Sequence, residues 1–214
     1  MNSSSGKEEI QRSRKEVCKL HGIDYQKVED IHSKIASLLQ GIKTKTRVQK
    51  TLDEAVVGLK RGVKYLDEIN KIASEKLTPR QKSLLDLLSY LGVSEGAFSE
   101  LTQLITFILV ENGHDIYDPI RTKFVKNYKG LDKVVLFIKL QFVEEHGFKF
   151  ITNVFDRELR NCIAHLNFVI KDDGTIEKVS GEKLTKEELS EKIRKLAVMC
   201  GIVIDIFSEE LILK

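Results

Sequence analysis

Arg160, Asn161 and His165 stand within one short run, Arg160-Asn161-Cys162-Ile163-Ala164-His165, and carry groups that can break a phosphodiester without a metal. An imidazole, with an ordinary pKa of about 6.5, takes a proton from a ribose 2′-hydroxyl or gives one to a leaving oxygen near neutral pH. A guanidinium holds non-bridging phosphate oxygens through charge-assisted hydrogen bonds that strengthen as charge builds in the transition state. The Asn161 amide can orient either the imidazole or the phosphate. The same residues also have a plain structural use: Asn and His suit helix ends, and Arg160 can pair with Asp156, four residues earlier.

The element that must position them is a helix. At about 100° per residue, Ile151, Phe155, Leu159, Cys162 and Leu166 form one apolar stripe, which predicts a buried-face helix from about Phe150 to Leu166. Arg157, Asn161 and His165 recur at i, i+4 and i+8 along one edge of it, so they can meet one ligand. Arg160 lies roughly 140° around from His165, with the small Ala164 between them. Cys162 falls on the stripe and reads as a core residue, not a nucleophile. Asp156 and Arg157 are second-tier candidates.

The run from Arg160 to His165 resembles the R-X4-H motif of HEPN domains, a helical family named for higher eukaryotes and prokaryotes nucleotide-binding. The likeness extends to Asn161 directly after the Arg and to the Asp-Gly turn of the following segment, Phe168 to Ile176. It implies a metal-independent endoribonuclease with no cofactor. Arg160 binds and polarises the phosphate, His165 is general acid or base, and Asn161 orients one of them. It also implies a homodimer in which two motif helices face each other across a cleft, and roles in defence, toxin-antitoxin pairs or RNA processing, with an antitoxin or regulatory protein as partner. A subgroup carries a Tyr two residues after the His as an adenylylation target; Asn167 stands there. The alternative is a HEPN-like helical module that binds a protein, nucleotide or RNA partner and cleaves nothing.

RNA needs cations. The formal net charge of +3 proves nothing by itself, but Arg121, Lys123, Lys126, Lys129 and Lys133 cluster with Asp132 as the only acid in that stretch, and Tyr128 can stack on a base. Lys123, Lys126, Tyr128, Lys129 and Lys133 are therefore the candidate RNA-binding residues, a solvated helix face being the bland reading. Lys43, Lys45, Arg47 and Lys50 form a second basic segment without an aromatic. Three widely spaced cysteines, Cys18, Cys162 and Cys200, show no zinc spacing and suit a reducing, cytoplasmic setting. No metal site is expected. His21, His32 and His114 carry no motif, and His146 reads as a helix-end residue. No hydrophobic segment follows Met1, and the apolar stretches at Leu104 to Val110 and Ala197 to Phe207 read as too short or interrupted to span a bilayer, so no membrane contact is expected.

Two prolines and few strand-like runs predict an all-α, up-and-down helical bundle in a single domain over 1–214. About 1–77 forms an N-terminal helical hairpin or extension, and about 78–214 the core with the motif helix. Asp24, Thr78 with Pro79, and Thr185 with Glu188 mark helix starts. One helix is expected to end before Gly92 and another to start at Ser94. Asp118-Pro119 should open a short helix to about Lys126, Leu131 to His146 should form a buried helix, and Asp173-Gly174 should turn a small β-hairpin.

Overall fold

The computed structural model of the protein describes residues 3–42, 45–73 and 76–212. Lys43 and Thr44 lie outside them, as do the side chains of Lys45, Leu59, Val63, Leu66, Ile69, Tyr128 and Lys129, so the stacking role of Tyr128 falls beyond the described residues. The fold is mostly helical with two small antiparallel sheets.

The first three helices are α1 (Ser3–Leu20), α2 (Tyr25–Gln40) and α3 (Lys45–Ala73). Asp24 caps α2 by accepting from the Gln26 and Lys27 amides, which satisfies donors the first turn leaves open. Cys18, Val28, Ile31 and Ile35 join the same apolar core as the later helices.

Helix α4 (Pro79–Val93) opens with a complete capping box, Thr78 and Gln81 each closing on the other's backbone. The expected stop at Gly92 does not occur. The chain continues through a π-helical turn, Ser94–Phe98, into α5 (Ser99–Glu111), because the Ser94 hydroxyl, read as a cap for a new helix, is buried and donates back to the Leu91 carbonyl. Gly58 of α3 meets this turn: a Cβ there would lie 3.1 Å from the Gly96 carbonyl carbon, so a side chain would press on backbone at this close crossing. The continuous Pro79–Glu111 rod is long and apolar enough to pass for a membrane span, which corrects the reading of only short stretches. With 72% of its apolar window buried inside the fold, it has the packing of a core helix.

Asp118-Pro119 does not open a helix. The Asp118 carboxylate accepts from the Ile120 and Arg121 amides, which closes a turn between the antiparallel strands β1 (Ile116–Asp118) and β2 (Lys123–Val125). The helix expected over Leu131 to His146 is likewise divided. A 3-10 turn, Tyr128–Lys133, precedes α6 (Leu136–Val143), and a π turn follows, Glu144–Phe148, where Gly147 has φ +83°.

Helix α7 (Lys149–Thr152) is followed by α8 (Arg157–Ala164), so the predicted motif helix is two helices with a break between them. After α8 come β3 (Phe168–Ile170), β4 (Ile176–Lys178) and β5 (Lys183–Leu184), a three-stranded antiparallel sheet. The last helix, α9 (Lys186–Ile212), starts at the Thr185–Glu188 capping box. It packs on α4 and α3, and α4 in turn carries α8.

Candidate active site

The break before α8 has a local cause. Asp156 caps α8 by accepting from the Leu159 amide at 2.8 Å, and the buried Tyr90 hydroxyl of α4 accepts from the Asp156 amide at 2.7 Å. These bonds fix where α8 starts and tie it to α4. Lys192 of α9 pairs with the same carboxylate at 2.9 Å. Burial by itself raises the Asp156 carboxyl, but the Leu159 amide and Lys192 outweigh it and hold it below the usual carboxylate range. Its stabilisation is complete above its unfolded value near pH 4 and is lost as pH falls through the depressed native value. Asp156→Ala is therefore predicted to cost about 0.5–2 kcal/mol at pH 7. In thermal unfolding the gap from wild type should close below about pH 4; a gap that widens in acid would contradict this.

The other end of α8 is closed by a Schellman motif. The Asn167 amide donates to the Cys162 carbonyl at 2.9 Å and the Leu166 amide to the Ile163 carbonyl at 3.1 Å. Leu166 occupies the left-handed position with φ +55°, where glycine is usual. Its side chain is 78% exposed, which removes it from the predicted buried stripe. The Cys162 thiol is buried and donates to the Asn167 carbonyl at 2.9 Å, and burial pushes its pKa up, so it takes part in the cap.

His165 is the C-cap residue, its amide bonded to the Asn161 carbonyl at 3.0 Å. Its imidazole is exposed and makes no hydrogen bond or ion pair to another described residue. Arg160 pairs not with Asp156 but with Glu95, carried by the π turn between α4 and α5. Its Nη1 also donates to Asn161 Oδ1 at 3.1 Å. Arg160 and Glu95 are 30% and 43% exposed, so solvent screens the pair.

Arg160, Asn161 and Arg157 line one cleft of about 300 Å³ with Phe137, Leu140 and Phe155. His165 is not part of its wall; it stands one turn beyond Asn161. The Arg157 guanidinium lies 3.3 Å from the centre of the Phe137 ring, a cation–π contact. Phe155 stacks on Phe98 with ring centres 4.7 Å apart. A larger cleft of about 890 Å³ shares Phe155 and Arg157, and mixes cations such as Lys27 and Lys192 with Glu182, Glu188 and Glu191.

The basic cluster is less free than its sequence suggested. Lys126 pairs with Asp115 at 3.4 Å and Arg121 with Asp118 at 3.3 Å, so an acid just before β1 and one at its end offset two of its charges. Lys123 and Lys133 are exposed, and Lys133 stands two residues before Val135, which reaches the smaller cleft.

One cluster was missed altogether. His32 is buried with Arg14, Glu209 and Glu210. Arg14 donates to Glu209 at 2.6 Å, to Asp205 at 2.9 Å and to His32 Nδ1 at 3.1 Å. A guanidinium only donates, so Nδ1 accepts and the ring proton sits on Nε2, bonded to Glu210 at 3.1 Å. The ligand atoms of His32, Glu209 and Glu210 lie within 4.8 Å of one another, yet Arg14 already occupies two of these residues, and a cation there would face its charge. The cluster reads as a clasp between α1, α2 and α9.

Comparison of the chain with protein-family models, curated proteins and solved structures finds no match in any of the three.

Proposed function

We propose that the protein is a metal-independent endoribonuclease of HEPN type, acting as a homodimer. The observation that carries this reading is the free, exposed His165 imidazole one turn from an Arg160–Asn161 pair that lines a cleft. In it, Arg160 holds the scissile phosphate, Asn161 steadies the guanidinium, and His165 moves the proton of the ribose hydroxyl or of the leaving oxygen. A second copy supplies the opposite wall. Leu166 next to His165, Val169 on β3 and Val179 just after β4, exposed at 78%, 64% and 81%, offer apolar surface for it. Sedimentation at micromolar concentration is predicted to show a dimer, and a monomer alone at 24.4 kDa would count against the shared cleft. The activity itself is tested by incubating purified protein with a mixed RNA pool in chelator, where fragments are expected and intact RNA would overturn the reading.

The contact between Arg160 and Glu95 favours a second reading, a helical module that binds a partner and cleaves nothing, since the guanidinium is already engaged. The two readings part at Glu95→Gln. Under the nuclease reading the variant frees Arg160 for a phosphate, so RNA binding should tighten while stability changes by no more than about 1 kcal/mol, the scale of an exposed pair. Unchanged or weaker binding in a filter assay would mean that Arg160 is a structural partner of Glu95.

A further inference from the structure

We infer that the smaller cleft beside α8 is a nucleobase subsite, which takes one unstacked base of a single-stranded RNA. For its place in cleavage the inference rests on the nuclease reading. Its floor is apolar and aromatic, from Phe137, Leu140 and Phe155, and its rim is Arg157, Arg160 and Asn161. Bases are recognised in single strands by stacking on aromatic rings or guanidinium planes and by hydrogen bonds to their edges. Each element is here.

Arg157 is exposed but already aligned, its guanidinium held 3.3 Å from the Phe137 ring centre, so a base stacking on it pays little ordering entropy. Phe155 is backed by Phe98 at 4.7 Å with the rings 14° from parallel, a platform that is fixed before a ligand arrives. The Asn161 amide offers a donor as well as an acceptor for a base edge. At about 300 Å³ the cleft stands at the small end of ligand pockets, with room for a base and not for a peptide helix. A nucleotide seated there carries its phosphate over the rim toward Arg160, with His165 one turn along the same helix. Base preference would then come from this cleft, and not from the lysines of the basic cluster, which meet phosphates.

The test is methyl NMR of the full-length protein titrated with each of the four nucleoside 5′-monophosphates, and separately with ribose 5-phosphate. The expected result is ring-current shifts at the Leu140 and Val135 methyl groups with the nucleotides and none there with ribose 5-phosphate. Arg157→Gln, at an exposed position, should weaken nucleotide binding about tenfold, within the usual range for loss of a stacking partner, and should still give a cooperative thermal unfolding transition, lowered only by the small loss of an exposed cation–π contact. Equal shifts with ribose 5-phosphate, shifts confined to other regions, or wild-type affinity in Arg157→Gln would each overturn the subsite. Because the readout needs no cleavage, absent shifts in a protein that cuts RNA would sink the subsite alone. Shifts in a protein that cuts nothing would keep the subsite and sink the nuclease.

Discussion

His165→Ala is expected to lower RNA cleavage by roughly 10²-fold or more, the scale of a lost general acid or base. The exposed imidazole makes no hydrogen bond or ion pair to another described residue. Its backbone, not its ring, closes α8, through the amide bond to Asn161. Thermal unfolding and RNA affinity should therefore stay near wild type, and the loss should fall on the catalytic step. Arg160→Ala should lose activity and also some affinity, because a phosphate contact goes with it. Wild-type cleavage by the His165 variant would remove the residue from the mechanism.

The second large effect concerns folding. Arg14→Leu is expected to cost about 3–5 kcal/mol, the range for breaking a buried ion pair from one side. Arg14 and Glu209 have side chains only 1% and 2% exposed. Burial opposes the guanidinium charge, but Glu209 and Asp205 outweigh it and hold the arginine protonated. Removing it strands the Glu209 carboxylate and deprives His32 Nδ1 of its donor. A loss of that size is a large part of an ordinary domain's stability, and denaturant titration measures it. Adding Glu209→Leu to the same chain should recover much of it, since an apolar pair of similar volume need not be worse than the buried ions. A single variant within about 1 kcal/mol of wild type would show that the clasp is not buried in solution.

What the sequence made legible was local. Asp24, Thr78 before Pro79, and Thr185 with Glu188 cap the helices they were read to cap, because a cap depends on residues three apart and little else; Gln81, which completes the box with Thr78, was not read. The readings that failed were also local, but ambiguous. Gly92 and Ser94 look like a stop and a start, yet burial of Ser94 and the glycine contact with α3 carry the helix straight through. Asp118-Pro119 can open a helix or close a turn, and strand pairing decided for the turn. The apolar stripe from Ile151 to Leu166 ran at helical spacing across a real break, since the side chains on either side still face one core. Ile151 and Leu159 are buried, while the exposed Leu166 lies past the cap.

The site divides in the same way. Arg160, Asn161 and His165 were visible as a motif on one helix end. Their surroundings were not: Glu95 is 65 residues from Arg160, and Phe137 against Arg157 and Tyr90 against Asp156 come from other helices; in the separate clasp, Arg14 is 195 residues from Glu209. No periodicity links such residues. The basic cluster shows the converse, since the sequence displayed its cations while Asp115 and Asp118 entered only through strand pairing and the turn.

In the proposed mechanism the ribose hydroxyl attacks with protein side chains alone supplying proton transfer and charge. Its most direct test is the chemistry of the ends produced when the purified protein cuts a defined RNA in chelator. The expected result is 2′,3′-cyclic phosphate ends from the wild-type protein, with the same products formed at least roughly 10²-fold more slowly by His165→Ala. Fragments ending in a free 3′-hydroxyl, or cleavage that stops in chelator and returns with magnesium, would contradict it.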